Sequence, residues 1–372
     1  MGPEPAVALV LPPREGFGPE SAGAIGLNCR RLARAARGFR VRVIGPPQSA
    51  PVFADAAFEA APAALALGPA WRRYVKGVAR LLRADPPALV EVHNRPDIAL
   101  DLARRLPGAR VALFLGNDPA AMRGFATPSA RAHLLARLVA VVSASRWLRA
   151  RLLEGIVAPP PGRALVLPNC LDLAALPQPL APGQRVAEIL FAGRVAADKG
   201  AEEFVAACAR ALPGLPGWHA RMVGADRFGA ASPQTPFLRA LQPRAAAAGV
   251  EMAGYLPHAG VLAAMARAAI VAVPSRWEEP FGLAALEALA CGAALVSTAR
   301  GGLPEVTGAA AEIVPAADPA ALAAAFLRLG HDPARRAALA AAGRLRATLF
   351  DAPAIAARLD CLRRIWLGAQ AP

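Results

Sequence analysis

Short apolar runs alternate with helix-patterned stretches along this chain, and after a break near residue 180 the alternation begins afresh. Residues 6–11 read AVALVL, a run with no polar face, and Pro12-Pro13 closes it. Further apolar runs stand at 41–44, 88–92, 111–115, 139–142 and 164–167. Helical spacing fills the gaps at 21–37, 71–83, 96–105, 131–137 and 145–153. Strands that are apolar throughout suit a sheet covered on both faces by crossover helices. The pattern predicts βαβ units and a parallel sheet.

Residues 173–186, rich in Pro, Ala and Gln, read as a linker. Beyond it, strands are predicted at 188–191, 219–223, 269–273, 294–297 and 312–314, with helices at 199–211, 259–267 and 282–290. Residues 318–368 are nearly all helical in pattern, broken at Asp332-Pro333 and Asp351-Ala352-Pro353. The expected organisation is α/β. A first Rossmann-like domain takes 1–172, a linker takes 173–186, and a second Rossmann-like domain takes 187–350. A C-terminal helix over 351–372 is expected to pack back on the first domain. Two doubly wound domains facing across a cleft would hold ligands at the carboxyl ends of their strands. The 372 residues suit two domains of roughly 100–200 residues each.

Composition excludes several classes. At 55% hydrophobic the chain is not disordered. The longest stretch without Asp, Glu, Lys or Arg, residues 252–266, is too short for a bilayer span. The start, MGPEP, has no secretory n-region, so a cytoplasmic protein is expected. Five scattered cysteines form no metal or disulfide pattern and read as reduced, buried thiols. The formal charge is +15. Residues 1–180 hold 23 basic and 12 acidic residues, +11, so the positive field belongs mainly to the first half. Such a half suits an anionic membrane surface or an anionic substrate. No zinc-finger, RNP-like or basic-zipper pattern supports nucleic acid.

The densest chemistry lies in residues 274–302, PSRWEEPFGLAALEALACGAALVSTARGG. Pro280 after Glu279 has the position preferred in a first helical turn, which would put Glu279 at a helix start. Glu287 would lie about 12 Å further along the axis. That is too far for a glycosidase pair, but suits two acids holding different parts of one extended ligand. Amides of Phe281, Gly282 and Leu283 would face its anionic end. A second cluster, Gly193-Arg194 and Asp198-Lys199-Gly200, puts a guanidinium after a strand and an ammonium at the next helix start, a set suited to a diphosphate. Lys199 is one of only two lysines beside 40 arginines.

Together these motifs resemble the family-4 retaining glycosyltransferases of GT-B fold. The matching residues are Glu279 and Glu287 in EEPFGLAALEALACG, the following GGLPE at 301–305, Gly193-Arg194 with Lys199-Gly200, and VLPN at 166–169. The first half matches loosely, through Gly23, His93 and VSAS at 142–145. The resemblance implies that Glu279 contacts the donor sugar's hydroxyls and Glu287 the nucleotide ribose. Arg194 and Lys199 would hold the departing diphosphate, with Gly193 beside them, and Tyr255 and Leu256 would meet the base mainly through backbone. Gly23 would admit the phosphates, and His93 would point a ring nitrogen at the reacting sugar. Asn94, Asn117 and Asp118, which follow predicted strands, are expected on the acceptor side. His133, His219, His258 and His331 show no partner pattern and read as surface or packing residues. Where the family often has two glycines this chain has Gly23-Ala24, and where it has Asn-Gly this chain has Asn169-Cys170.

The implied reaction moves a sugar from a nucleoside-diphosphate sugar, UDP or GDP, to a hydroxyl of a glycan or lipid-linked acceptor with retention, in polysaccharide or lipopolysaccharide synthesis. It needs no metal and no cofactor, and the basic first half would allow peripheral contact with an anionic inner membrane face. Two rivals are weighed. A nicotinamide dehydrogenase requires GxGxxG after the first strand, and the glycines at 16, 18 and 23 have the wrong spacing. A non-catalytic sugar-nucleotide or glycan-binding subunit of the same fold is separated from an enzyme by nucleotide release.

Overall fold

The computed structural model describes residues 4–62, 69–226 and 232–368. They divide into two compact units, Met1–Asp172 with Phe350–Pro372, and Leu173–Leu349. The first unit runs β1 (Ala6–Val10), α1 (Ala24–Ala35), β2 (Arg40–Gly45), β3 (Phe58–Ala60), α2 (Ala70–Ala84), β4 (Leu89–His93), α3 (Pro96–Arg105), β5 (Arg110–Leu115), α4 (Pro128–Arg137), β6 (Ala140–Ser143), α5 (Arg146–Leu153) and β7 (Ala164–Val166). Its seven strands are all parallel, in the order β3-β2-β1-β4-β5-β6-β7. The chain winds one way from β1 and the other way from β4, so the sheet reverses between those two neighbours. At such a reversal the loops leaving adjacent strands diverge and open a crevice.

The second unit repeats the plan with β8 (Val186–Ala192), α6 (Ala201–Ala211), β9 (His219–Val223), α7 (Pro236–Ala247), β10 (Val250–Gly254), α8 (His258–Arg267), β11 (Ala268–Val273), α9 (Leu283–Ala290), β12 (Ala294–Thr298), α10 (Leu303–Thr307), β13 (Ala311–Val314), α11 (Pro319–His331) and α12 (Pro333–Ala347). The sheet order is β10-β9-β8-β11-β12-β13, again all parallel, and the winding reverses between β8 and β11. Apolar strands and alanine-rich helices close this core around Phe191, Phe204 and Phe326. Residues 173–186, expected as a linker, fall within this unit and include two single 3-10 turns.

The last helix, α13 (Ala352–Leu367), belongs to the first unit and packs on α1. Each late helix begins at an Asp-Pro or Asp-Ala-Pro break because an aspartate caps it. Asp318, Asp332 and Asp351 accept amide protons at the starts of α11, α12 and α13. Arg363 of α13 is fully buried and donates two hydrogen bonds to Glu91 of β4, at 2.7 and 2.8 Å, and one to Asp360 at 2.9 Å. Burial opposes its charge, but the two carboxylates outweigh that and hold its pKa above the usual guanidinium value.

Four elements depart from the expectations, one of them the five-residue helix α10, too short to show a helical period. β3 is three residues long and β10 carries Glu251, too little alternation to read as strands. In α7, Pro243 lies inside the helix. Its ring removes one backbone bond and breaks the pattern, yet Thr235 caps the start and Pro236 opens it. Four cysteines are buried, whereas Cys361 is exposed. Among the described residues no helix is long and apolar enough to cross a membrane.

Candidate active site

In the second unit the singled-out residues gather where the sheet reverses. β8 ends at Ala192, and Gly193 and Arg194 follow it into a 3-10 turn, Ala197–Lys199. This turn is stitched to the loop after β11. The amides of Arg276 and Trp277 donate to the Asp198 carbonyl at 2.9 and 3.0 Å. Gly200 closes the turn at φ +76°, and a Cβ there would lie 2.0 Å from the Pro274 carbonyl oxygen. Glycine is therefore required both by conformation and by space.

The stitching delivers Lys199 to Glu279. Lys199 Nζ donates to Glu279 Oε1 at 2.6 Å and sits 4.5 Å from the centre of the Trp277 ring. Ser275 Oγ donates to the same carboxylate oxygen at 2.8 Å. Glu279 is only 8% exposed, so a buried carboxylate holds two donors while its other oxygen carries no side-chain bond from this set. The Glu279 backbone is fixed from the far side. The Gly302 amide donates to its carbonyl at 2.6 Å, and Glu278 accepts from the Gly301 amide at 2.6 Å. A Cβ on Gly301, itself at φ +60°, would stand 2.3 Å from the Glu279 carbonyl oxygen.

Other residues take different partners. Arg194 pairs with Asp198 at 2.8 Å rather than joining the Lys199–Glu279 contact. Glu287, in the second turn of α9, meets His258 Nε2 at 2.7 Å. His258 is thus not the unpartnered residue its sequence suggested, because the first turn of α8 brings it to an acid 29 positions away. His219 likewise meets Glu188 at 3.1 Å. The helix does not start at Pro280 either. Gly282 is the N-cap and Leu283 the first helical residue, so Glu279 lies in the preceding loop and a helical rise does not measure its distance to Glu287. Phe281 is buried, and Tyr255 and Leu256 are half-buried in the loop between β10 and α8. Ser275 and Trp277 went unnoticed in sequence, although the SRWEE run places both within four residues of Glu279.

In the first unit, the sheet reversal holds His93 at the end of β4 and Gly23 in the loop after β1. Gly23 caps α1 at φ −83°, so it is not glycine for conformational freedom. A Cβ there would lie 2.8 Å from Glu15 Oε1, which accepts from the Gly26 amide at 2.9 Å. An internal carboxylate therefore occupies the α1 start, where a phosphate was expected. Burial pushes the Glu15 pKa up, and the Gly26 and Gly23 amides pull it partly back.

His93 is 4% exposed and stacks on Phe114, ring centres 4.9 Å apart, while Phe114 meets Trp366 of α13 edge-on. Its Nε2 is buried without a hydrogen-bond partner among the described residues. Burial first, and the Arg363 charge second, lower the His93 pKa to about 3. Asn94 adopts φ +53° and accepts from the Gly116 amide at 3.1 Å. Asp118 caps the turn at Pro119–Ala121 and pairs with Arg151 at 2.8 Å, while Asn117 precedes it, exposed.

The depressed His93 value has a measurable consequence. The unfolded chain takes up a proton near pH 6.5 and the folded one near pH 3, so this group's contribution to stability is complete above about pH 6.5 and drains away between those limits. Between pH 7 and pH 4.5 the wild type should lose about 2–3 kcal/mol more than His93→Leu in urea unfolding. Equal losses in the two proteins would remove the assignment.

The chain is similar to known proteins in part of its sequence and in its fold. Residues 175–346 match the model of the glycosyl transferases group 1. The two parallel-sheet Rossmann-like domains are those of the GT-B fold: sucrose-phosphate synthase from Thermosynechococcus elongatus aligns with TM-score 0.78 at 23% identity, over 98% of this chain and 100% of that one. Anabaena HepE, in a complex with UDP and glucose, aligns with TM-score 0.75 at 18% identity, over 95% and 97%. In sequence, the chain is 34% identical over 251 residues to a D-inositol 3-phosphate glycosyltransferase of Geodermatophilus obscurus, 60% of this chain and 53% of that protein. The chain spans about half the length of the curated relatives it matches.

Proposed function

We propose that this chain is a glycosyltransferase moving a sugar from a nucleoside-diphosphate sugar to a hydroxyl of a glycan or lipid-linked acceptor, with retention of anomeric configuration. The observation that carries it is the buried Glu279 carboxylate gripped by Lys199 and Ser275 over Trp277, at the sheet reversal of the domain that matches the group 1 model. The donor's diphosphate is UDP or GDP. Lys199 turns from Glu279 to the diphosphate, and Arg194, held beside it by Asp198, adds a second cation. These charges replace a metal ion and stabilise the leaving phosphate, with amides at Phe281–Leu283 and the Gly193 turn close at hand. Glu279 then faces sugar hydroxyls, and Glu287, fixed by His258, accepts from the ribose. The leaving phosphate takes the acceptor's proton on the same face, which preserves the configuration.

In the first unit, His93 remains a neutral imidazole at any working pH and offers its unpartnered Nε2 to the sugar or the acceptor. Asn94, Asn117 and Asp118 form the acceptor side. HepE, named in a complex with UDP-glucose, supports a nucleotide-sugar donor. The basic first half supports a cytoplasmic enzyme of polysaccharide or lipopolysaccharide synthesis that visits an anionic membrane face. The test is nucleoside diphosphate release from a donor panel with the product anomer assigned by NMR. Stabilisation by UDP or GDP with no turnover on any acceptor would turn the reading to a non-catalytic binding subunit, and an inverted product would remove the retaining step.

A further inference from the structure

We propose a second anion site on the first unit: a surface cavity of about 700 Å³ between α2, α3 and α4 that binds a phosphate-bearing group. The three helices pack in sequence, α2 on α3 and α3 on α4, and none of the cavity's lining comes from the loop that follows His93. The lining includes Arg72 and Lys76 from α2, Arg104 and Arg105 from α3, and Arg137 from α4. The two acids that share it are already committed. Asp101 pairs with both Arg104 and Arg105, at 2.6 and 2.9 Å, and Asp97 pairs with Arg95 at 2.5 Å. Arg72, Lys76 and Arg137 have no carboxylate within ion-pair distance among the described residues. Three unneutralised cations therefore converge from two helices on one hollow.

The sequence of α2 explains how they come together. The helix reads AWRRYVKGVARLLRA, with Tyr74, Val75, Val78, Ala79 and Leu82 buried and every charged residue exposed and basic. Repulsion among like charges spaced three and four apart costs helix stability. A phosphate or phosphodiester relieves that cost, because each oxygen accepts charge-assisted bonds from guanidinium and ammonium groups. Half-buried Trp71, with the Arg72 guanidinium 5.4 Å from its ring centre, gives the rim an apolar wall. Two sources carry this chemistry, the headgroup of an anionic lipid and a soluble phosphorylated molecule, and the site is read independently of sugar transfer.

The test uses the whole chain at low salt with two probes, inorganic pyrophosphate followed by NMR or calorimetry, and phosphatidylcholine vesicles with or without phosphatidylglycerol followed by co-sedimentation. The pocket variant Arg72→Ala/Lys76→Ala/Arg137→Ala is compared with Arg73→Ala/Arg80→Ala/Arg123→Ala, which removes equal charge from exposed positions outside the cavity. The pocket variant should lose at least about tenfold in affinity and the control variant much less. Selective loss on phosphatidylglycerol vesicles assigns the lipid headgroup. Selective loss on pyrophosphate without vesicle binding assigns the soluble ligand. Equal losses in both variants, or no binding of either probe by the wild type, would overturn the site.

Discussion

Lys199→Ala is expected to lower nucleoside diphosphate release from the true donor by roughly 100- to 1,000-fold, the range seen when one preorganised charge is taken from a developing anion. Under the proposed roles the loss should appear in kcat more than in KM, because Arg194 and the backbone would still hold the ground-state diphosphate. Glu279→Ala should be comparably severe for a second reason: it strips Lys199 of the acid that fixes it over Trp277. Glu279→Gln should be milder, since a glutamine oxygen still accepts from both Lys199 and Ser275. Lys199→Arg should not rescue, because a planar fork cannot replace a compact ammonium at 2.6 Å from a buried oxygen. A Lys199→Ala protein that kept more than about a tenth of its turnover would remove the ammonium from the mechanism.

The largest effect on stability should come from α13. Arg363→Ala leaves Glu91 and Asp360 buried without their shared cation, a change expected to cost about 3–5 kcal/mol. The damage should fall on the first unit alone, which urea unfolding resolves if its transition separates from that of the second. Removing all three charges together, as Glu91→Leu/Asp360→Asn/Arg363→Met, should restore most of the loss, since the ion cluster's net contribution is small once no charge is stranded. The Asp360→Asn change keeps a side-chain oxygen for the Arg37 amide, which Asp360 now accepts at 2.7 Å. Loss below about 1 kcal/mol in Arg363→Ala would show that water reaches the cluster.

The doubly wound plan was legible because its strands are apolar on both faces and its late helices start at Asp-Pro breaks. Glu279, Glu287 and Lys199 stand out in the sequence as residues, but their partners do not. Nothing in spacing says that Ser275 and Lys199 share one oxygen of Glu279, because that contact depends on the Arg276 and Trp277 amides donating to the Asp198 carbonyl across two loops distant in sequence. No motif near His258 marks it, because its partner lies on the next helix, beyond an intervening strand. The glycine at 23 suggests room for a ligand, whereas Glu15, a residue with no helical or strand pattern to mark it, stands there. Pro280 fits the preference for proline in a first helical turn, yet α9 begins at Leu283 with Gly282 at its N-cap.

The first unit is also discontinuous in sequence: Leu171 pairs with Asp351, and the whole second unit is inserted between them. During vectorial synthesis the ribosome therefore releases a complete second unit while the first still lacks α13. The Glu91 carboxylate on β4 must wait 272 residues for its guanidinium. Until α13 emerges, the nascent sheet of the first unit keeps that charge and the Phe114 face uncovered, an exposure that chaperone binding would shield.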